Sequence, residues 1–169
     1  MLAREERLDP LKLHGSYAGA MGLPQFIPTS YRAYSVDFDG DKRRDLVGSV
    51  ADTIGSVANY LGRHGWQRGG AIASRATLGQ GVKVEKYKRA KPTQSVGALA
   101  NAGIKLARKP AGVGTKTKAR ALTLKGAKGR EHWLTYNNFY VITTYNHSPL
   151  YAMAVFQLAD AIRTRKSKS

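Results

Sequence analysis

The sequence predicts an α+β fold, mainly α, in which a small basic segment with β character interrupts a neutral helical part. The net charge of +17 is the first observation, since residues 67–130 hold sixteen Lys and Arg against Glu85 alone, whereas residues 1–66 are neutral. The second is that helical periodicity of apolar residues occurs near both ends of the chain. We therefore expect three parts: 1–66, the basic β-containing subdomain 67–130, and 131–169, which returns to the core.

Helices are predicted at three places in the first part. Residues 1–8 form the end of a helix that Pro10 stops, because proline disfavours helical backbone at the preceding residue. Pro28 starts the second, since proline suits a first helical turn. The third is predicted over residues 53–64 and ends at Gly65. Its apolar residues have i, i+3, i+4, i+7 spacing: Ile54, Val57, Ala58 and Leu61.

The basic subdomain is predicted to be irregular, with short β-like pieces at 82–84 and 121–124 and a short helix at 95–102. In the last part, residues 136–144 are aromatic and β-branched, which favours a strand but leaves a helix open. A helix is predicted over 149–163, followed by a cationic tail that frays. The apolar residues on one stripe of that helix are Tyr151, Ala154, Val155, Leu158, Ala159 and Ile162.

Composition limits the class and location of the protein. The absence of cysteine excludes disulfides and cysteine metal sites. No apolar run is long enough to cross a membrane, and the first residues have no signal-peptide core. Either the protein is cytoplasmic or an export signal lies outside this sequence. The basic subdomain should attract a polyanion, for which nucleic acid, anionic lipid and an acidic glycan wall all qualify.

An acidic loop has the spacing of a calcium site. Asp37, Asp39, Asp41, Arg43 and Asp45 stand at positions 1, 3, 5, 7 and 9 of an EF-hand-like loop, where side-chain oxygens and one backbone carbonyl bind the ion.

Two residues depart from that loop pattern, because Lys42 replaces the usual glycine and Gly48 replaces the final glutamate. Asp52 could supply that last carboxylate if the loop is longer than usual. The alternative is a solvated turn rich in Asp and Gly, with Arg43 and Arg44 neutralising part of the charge.

Two further segments combine small, polar and aromatic residues. Residues 15–31 contain closely spaced glycines together with Ser16 and Gln25, which suits either tight packing or close approach to a ligand. Residues 137–151 place amides beside aromatic rings, which suits either a sugar site or a half-buried aromatic cluster. The chain has no Walker A motif, no HExxH and no assignable catalytic triad, and its basic residues lack a nucleic-acid-binding pattern.

Taken in order, these segments resemble the lytic murein transglycosylase B family, peptidoglycan-cleaving enzymes with a lysozyme-like core. The stretches that carry the resemblance are GSYAGAMGLPQFIP (15–28), DTIGSVANY (52–60) and NNFYVITTYNHS (137–148). The resemblance covers nearly the whole chain and is weakest from about residue 68 to residue 130. It implies that this chain holds part of a lysozyme-like helical core.

The resemblance also implies site residues. Six match positions that line the saccharide groove: Ser16, Gln25, Tyr60, Tyr145, Asn146 and Tyr151. Five match a structural calcium loop that is longer than the usual EF-hand: Asp37, Asp39, Asp41, the carbonyl of Arg43, and Asp52. The implied partners are peptidoglycan glycan strands and not nucleic acid, and the implied location is the periplasm or the outer membrane.

The family cleaves the β-1,4 bond between N-acetylmuramic acid and N-acetylglucosamine without water and forms 1,6-anhydromuramoyl products. A glutamate with a raised pKa acts as the general acid. In the family it lies well upstream of the first matching stretch, so we expect this chain to lack it. Either an upstream segment of the same gene or a separately encoded N-terminal half would supply it. Whether the chain alone is an enzyme is left open. The alternative is a non-catalytic peptidoglycan-binding module.

Overall fold

The structure is a computed structural model, which describes residues 2–6 and 8–167. The chain divides into an N-terminal unit that runs to His64 and a C-terminal unit that starts at Gly65. Helical residues outnumber strand residues and the strands form one antiparallel sheet, so the α+β, mainly α, prediction is confirmed.

The N-terminal unit holds three helices, α1 (Leu2–Glu5), α2 (Pro28–Tyr34) and α3 (Val50–Arg63). Helix α2 begins at Pro28 as predicted. Helix α1 covers only part of the predicted 1–8, and Met1 and Arg7 lie outside the described residues. Helix α3 starts three residues earlier than predicted, because the side chain of Ser49 accepts the N–H of Asp52 and caps the helix there.

The N-terminal unit is held together by the segment around Leu46. Tyr31 is fully buried and its hydroxyl donates to the carbonyl of Arg44. Leu46 is also fully buried, and its carbonyl accepts the N–H of Leu23 at 2.8 Å. Gly22 has φ +70°, and a Cβ there would stand 2.4 Å from the Leu46 carbonyl oxygen. The glycine is therefore required by both conformation and close approach.

The C-terminal unit is built on a five-stranded antiparallel sheet in the order β2-β4-β5-β1-β3. Its strands are β1 (Ala73–Leu78), β2 (Gln94–Ser95), β3 (Ile104–Leu106), β4 (Lys118–Gly126) and β5 (Gly129–Thr135). Its helices are α4 (Val96–Asn101), α5 (Asn137–Tyr145) and α6 (Pro149–Lys166). The predicted strand at 121–124 lies in β4, and the predicted helix at 95–102 is α4 with its two caps.

Two apolar clusters hold the sheet and helices of this unit together. The first includes Leu99 of α4 and Leu134 of β5. The second includes Trp133 of β5, Phe139 of α5 and Met153 of α6. Because Trp133 and Leu134 are consecutive in one strand, their side chains point to opposite faces of the sheet, so each face carries a cluster. Helices α5 and α6 therefore share one face and α4 lies on the other.

The strand predicted at 136–144 is wrong, because this segment forms helix α5. Its buried residues are Asn138, Phe139, Val141, Ile142 and Thr143, which is a helical and not an alternating pattern. The side chain of Asn138 bonds the backbone of Gln67 and Gly70, which fixes the first turn. Local β propensity is therefore overridden by packing against the sheet.

Residues 82–84, predicted as β-like, form no strand. Val82 and Val84 pack against the first cluster from an irregular segment. The alternation of valine and lysine resembles a strand because both valines face the cluster and Lys83 faces solvent. Among the described residues, however, no neighbouring strand pairs with this segment.

Helix α6 is confirmed, but the face predicted to be apolar is largely exposed. Tyr151, Leu158 and Ile162 are 37%, 64% and 61% exposed, whereas Ala152 and Met153 are buried. The helix continues to Lys166, so the predicted fraying of the tail does not hold for that part; Lys168 and Ser169 lie outside the described residues. Among the helices that are described, none combines the length and hydropathy needed to span a membrane.

Candidate functional site

Three carboxylates of the acidic loop converge. One oxygen each of Asp37, Asp39 and Asp52 lies within 4.8 Å of the others. Calcium binds oxygens at about 2.3–2.6 Å, so two ligands of one ion lie at most roughly 5 Å apart. The spacing therefore fits a single calcium ion, and the oxygen donors are the type that calcium prefers.

Asp52 is the buried member of the trio, with no exposed surface. Its two carboxylate oxygens accept the N–H of Phe38 at 2.7 Å and of Asp45 at 2.8 Å. Burial raises the pKa of this carboxyl, but bonds from the N–H groups of Phe38, Asp45 and Asp39 outweigh it and hold the pKa below its ordinary value. Asp52 is thus an ionised anchor for both sides of the loop.

The exposed carboxylates organise the turn itself. Asp37 accepts the N–H of Gly40 at 2.7 Å and of Lys42 at 2.8 Å. Asp41 lies outside the converging trio and accepts the N–H of Arg43 at 2.8 Å. Lys42 has φ +70°, so the position where an EF-hand carries glycine is left-handed here too, at some conformational cost to a lysine.

Ser49 is a loop residue that the sequence reasoning missed. Its hydroxyl donates to Asp39 at 2.8 Å and accepts the N–H of Asp52 at 3.1 Å, which links the exposed and buried carboxylates. The signal was present as Ser49-Val50-Ala51-Asp52, a serine three residues before an acid, which is the pattern of a helix N-cap.

Ser16 and Gln25 lie in the irregular segment before α2, and both are exposed. Ser16 Oγ accepts the N–H of Ala20 at 3.1 Å. Gln25 has φ +54°, and its side-chain amide donates to the carbonyl of Gly22 at 3.0 Å. A left-handed conformation at a residue other than glycine costs about 1–3 kcal/mol, and such residues cluster at ligand sites.

Tyr60 is more enclosed than a saccharide-contacting residue was expected to be, at 9% exposed. Its ring lies 5.8 Å from that of Phe26, 4.8 Å from Tyr34 and 4.0 Å from His64, measured between centroids. The carbonyl of Tyr60 also lies 2.7 Å from His64 Nδ1. Tyr60 therefore stands at the centre of an aromatic cluster inside the N-terminal unit.

The C-terminal unit brings its three predicted residues together. Tyr145 ends α5 and Tyr151 lies in the first turn of α6; their rings are parallel, with centroids 6.4 Å apart. Asn146, between the two helices, is exposed and accepts the N–H of Ser148 at 3.0 Å. The short connection between two helices thus holds two rings and an amide on one patch.

The chain has four glutamates, and all lie in the described part. Glu5 is 2.7 Å from Arg32, Glu6 pairs with Arg44, and Glu131 is 2.9 Å from Arg75. The bond from Arg32 lowers the pKa of Glu5. Glu85 is exposed. A general acid needs a sheltered carboxyl that holds a proton. The side chain of Glu6 is sheltered, at 6% exposed, but it is bound to Arg44, and the other three glutamates are more exposed.

A family model described as the Transglycosylase SLT domain matches residues 1–160, and the chain belongs to this family. It is similar to the membrane-bound lytic murein transglycosylase B of Escherichia coli strain K12, with 45% identity over 167 residues. That match covers 96% of this chain and 43% of the relative.

Solved structures agree with this assignment. The soluble lytic transglycosylase SltB1 of Pseudomonas aeruginosa shares 46% identity, with a TM-score of 0.85 over 98% of this chain and 54% of that one. The Escherichia coli lytic transglycosylase SLT35, solved in complex with calcium, shares 41% identity, with a TM-score of 0.83 over 98% of this chain and 51% of that one. The chain spans about half the length of the relatives it matches.

Replacing Asp52 by asparagine should destabilise the N-terminal unit even without metal. Asparagine offers one acceptor oxygen, so the N–H of either Phe38 or Asp45 loses its bond, at a cost of about 1–3 kcal/mol. Unfolding in urea with a chelator measures the effect. Asp41→Asn, at an exposed carboxylate outside the trio, is the matched control and should change the midpoint little.

The loss of stability in the Asp52→Asn variant should also depend on pH in a definite direction. Because the folded-state pKa of Asp52 is depressed, its contribution is complete above the ordinary value of about 4 and fades as pH falls through the folded pKa. The gap between wild type and Asp52→Asn should therefore shrink only in acid. Equal midpoints at pH 7 would contradict the anchoring role.

Proposed function

We propose that this chain is the glycan-binding and calcium-binding part of a peptidoglycan lytic transglycosylase. The reaction is cleavage of the N-acetylmuramic acid–N-acetylglucosamine β-1,4 bond without water, with 1,6-anhydromuramoyl products. The observation that carries the proposal is that one family match spans both saccharide-residue sets and the acidic loop. Relatives solved with bulgecin A and with N-acetylglucosamine–N-acetylmuramic acid pentapeptide support a murein ligand.

Saccharide contacts are proposed from both units. In the N-terminal unit, Ser16 and Gln25 offer exposed hydrogen-bonding groups, and Tyr60 contacts the ring of Phe26, the residue after Gln25. In the C-terminal unit, Tyr151 offers ring surface and Asn146 an amide, the pairing by which proteins commonly hold sugars. Tyr145 holds a parallel position to Tyr151 and supports it.

Calcium is proposed as a structural ion of the acidic loop. Its ligands are Asp37, Asp39, Asp41, the carbonyl of Arg43, and Asp52. Three carboxylate oxygens within 4.8 Å of one another support this assignment, since unneutralised carboxylates at that spacing repel each other. Bound calcium supplies charge neutralisation and holds the loop at the start of α3; it takes no chemical step.

The general acid is proposed to come from outside these 169 residues. The environments of the four glutamates support this, since three pair with arginine and one is exposed. A polypeptide corresponding to the unmatched half of the relatives is the partner that would provide it. Loss of a general acid costs roughly 10²–10⁴ in rate, so the isolated chain should bind glycan without turnover.

The second candidate is a non-catalytic peptidoglycan-binding module. The charge distribution favours it, because residues 67–130 carry sixteen basic residues against one acid and murein is anionic. Both candidates place the protein on the extracytoplasmic side, in the periplasm or against the outer membrane. The basic surface would also attract nucleic acid, although its basic residues lack a nucleic-acid-binding pattern. A DNA gel shift is therefore the control for each murein assay.

Calcium should raise the melting temperature of the chain. Removing two converging carboxylates by Asp37→Asn with Asp39→Asn should abolish that rise, because the remaining donors no longer form a charged cage. The measurement is thermal melting with calcium, with chelator and with magnesium. Asp9→Asn, an exposed carboxylate away from the loop, is the control and should keep the full shift. Equal melting temperatures of the wild type in calcium and in chelator would contradict the proposed calcium site.

Purified murein sacculi should sediment the chain and release no soluble anhydromuropeptides. Tyr151→Ala should weaken sedimentation several-fold, whereas Leu158→Ala, a more exposed apolar residue on the same helix, should not. Rising salt separates the electrostatic part of binding from the part due to Tyr151. Release of anhydro products by the chain alone would overturn the assignment of the acid to another segment. Failure to sediment at low salt would overturn glycan binding.

A further inference from the structure

A long irregular segment of the C-terminal unit carries a cluster of positive charge. Residues 79–93 join β1 to β2 without forming a helix or a strand. Residues 83–91, here called the basic strap, hold Glu85 and five basic residues: Lys83, Lys86, Lys88, Arg89 and Lys91. A connection of about 12–15 residues without secondary structure is uncommon within a compact unit, and most such connections are either functional or unstructured linkers.

The basic strap is not a free linker, because apolar side chains anchor it to the unit. Val84 packs against the first apolar cluster, and Tyr87 packs against the second. Each anchor lies between two exposed charged residues, and the pair around Tyr87 is Lys86 and Lys88. The anchors therefore hold the strap in place while its cations stay in solvent, an arrangement that fits a contact surface rather than a spacer.

The cations of the strap lack counterions. In the part of the chain that the structure describes, none of the ion pairs includes a residue of the strap. The acids after residue 65 are Glu85, Glu131 and Asp160, and arginines outside the strap already pair with the last two. Like charges along the strap repel one another, and an external anionic partner would remove that repulsion.

The type and density of these cations suit a diffuse anionic surface. Four of the five fall within residues 86–91, and all four are exposed. Three of them are lysines, whose flexible and strongly hydrated ammonium groups need no fixed geometry in a partner. Clusters of roughly 4–8 Lys and Arg are typical of segments that bind anionic lipid headgroups.

We propose that residues 86–91 of the basic strap bind the surface of an anionic lipid bilayer. No side chain of the strap enters the hydrocarbon, because Tyr87 stays in its cluster. Attraction therefore depends on the charge of the lipid and on salt. Together with the proposed function, this contact holds a murein-binding chain where membrane and cell wall meet. The cations that meet the headgroup phosphates are Lys86, Lys88, Arg89 and Lys91.

Two other polyanions fit the strap less well. Single-stranded nucleic acid binds basic surfaces by stacking its bases on exposed rings. Here Tyr87 packs against the second cluster, and Arg89 lies over the Tyr140 ring, with 5.8 Å from Cζ to the centroid. Sugars of murein need rings and amides, and residues 83–91 contain no amide side chain. A lipid surface requires exposed charge alone.

The test is sedimentation of the chain with sucrose-loaded vesicles in the absence of murein. Vesicles of phosphatidylcholine and phosphatidylglycerol in a three-to-one ratio should carry the chain into the pellet, whereas vesicles of phosphatidylcholine alone should not. Binding should fall steeply as added salt shortens the Debye length. Equal binding to both kinds of vesicle, or no binding to the anionic vesicles at low salt, would overturn the proposal.

Paired variants test whether the strap is the contact. Lys86→Gln with Lys88→Gln should weaken binding to the anionic vesicles roughly 10- to 30-fold, since each cation near such a surface contributes about 5-fold. Lys86→Arg with Lys88→Arg keeps the charge and should keep the binding. Lys125→Gln with Lys128→Gln removes the same charge from exposed positions at the turn between β4 and β5, and should cost at most about 2-fold. Equal losses in the two Gln variants would mean that binding follows net charge, which contradicts a role for the strap.

Two further measurements separate the lipid contact from other binding. Duplex DNA should be bound equally well by the two Gln variants, because its attraction follows net charge. A larger loss of DNA binding in the strap variant would reassign the strap to nucleic acid. The strap variant should also keep the Tyr151-dependent sedimentation with sacculi at high salt, and loss of it would reassign the strap to murein. Because the vesicle assay contains no murein, failure of the lipid contact is distinguishable from failure of glycan binding.

Discussion

The buried carboxylate of Asp52 connects the parts of the N-terminal unit that matter for function. It lies in the first turn of α3, accepts N–H groups from both sides of the acidic loop, and stands within 4.8 Å of the exposed carboxylates Asp37 and Asp39. An unpaired ionised group in that position would be costly, so the loop must close around it. Loop shape, helix start and metal-ligand spacing thus depend on one side chain.

Charge divides the molecule in a way that fits a protein working on an anionic polymer. The N-terminal unit is electrically neutral and holds the acidic loop, whereas the excess of basic residues lies in the C-terminal unit. On the proposed function, long-range attraction brings the anionic polymer to the basic surface, and short-range contacts through rings and amides select the sugar.

Much of the fold could be predicted from local sequence signals, and the failures have physical causes. The helix start at Pro28 and the short helix expected at 95–102 are both confirmed by the structure. The preference for a strand over residues 136–144 was wrong. Their aromatic and β-branched side chains favour a strand locally, whereas packing on the sheet makes them a helix. Helix α6 was predicted correctly, but periodicity identifies its apolar stripe without saying whether a neighbour covers it, and the structure leaves that stripe largely exposed.

The spacing of Asp37, Asp39 and Asp52 was readable, but the bridging role of Ser49 and the enclosure of Tyr60 required three-dimensional contacts. Hydrogen exchange at the amides of Phe38 and Asp45 tests the central claim that Asp52 pre-organises a calcium loop. Both amides should be protected in chelator and more protected in calcium, because the same carboxylate accepts them in either state. Exchange at the rate of an unstructured peptide in chelator, or protection indifferent to calcium, would contradict the account.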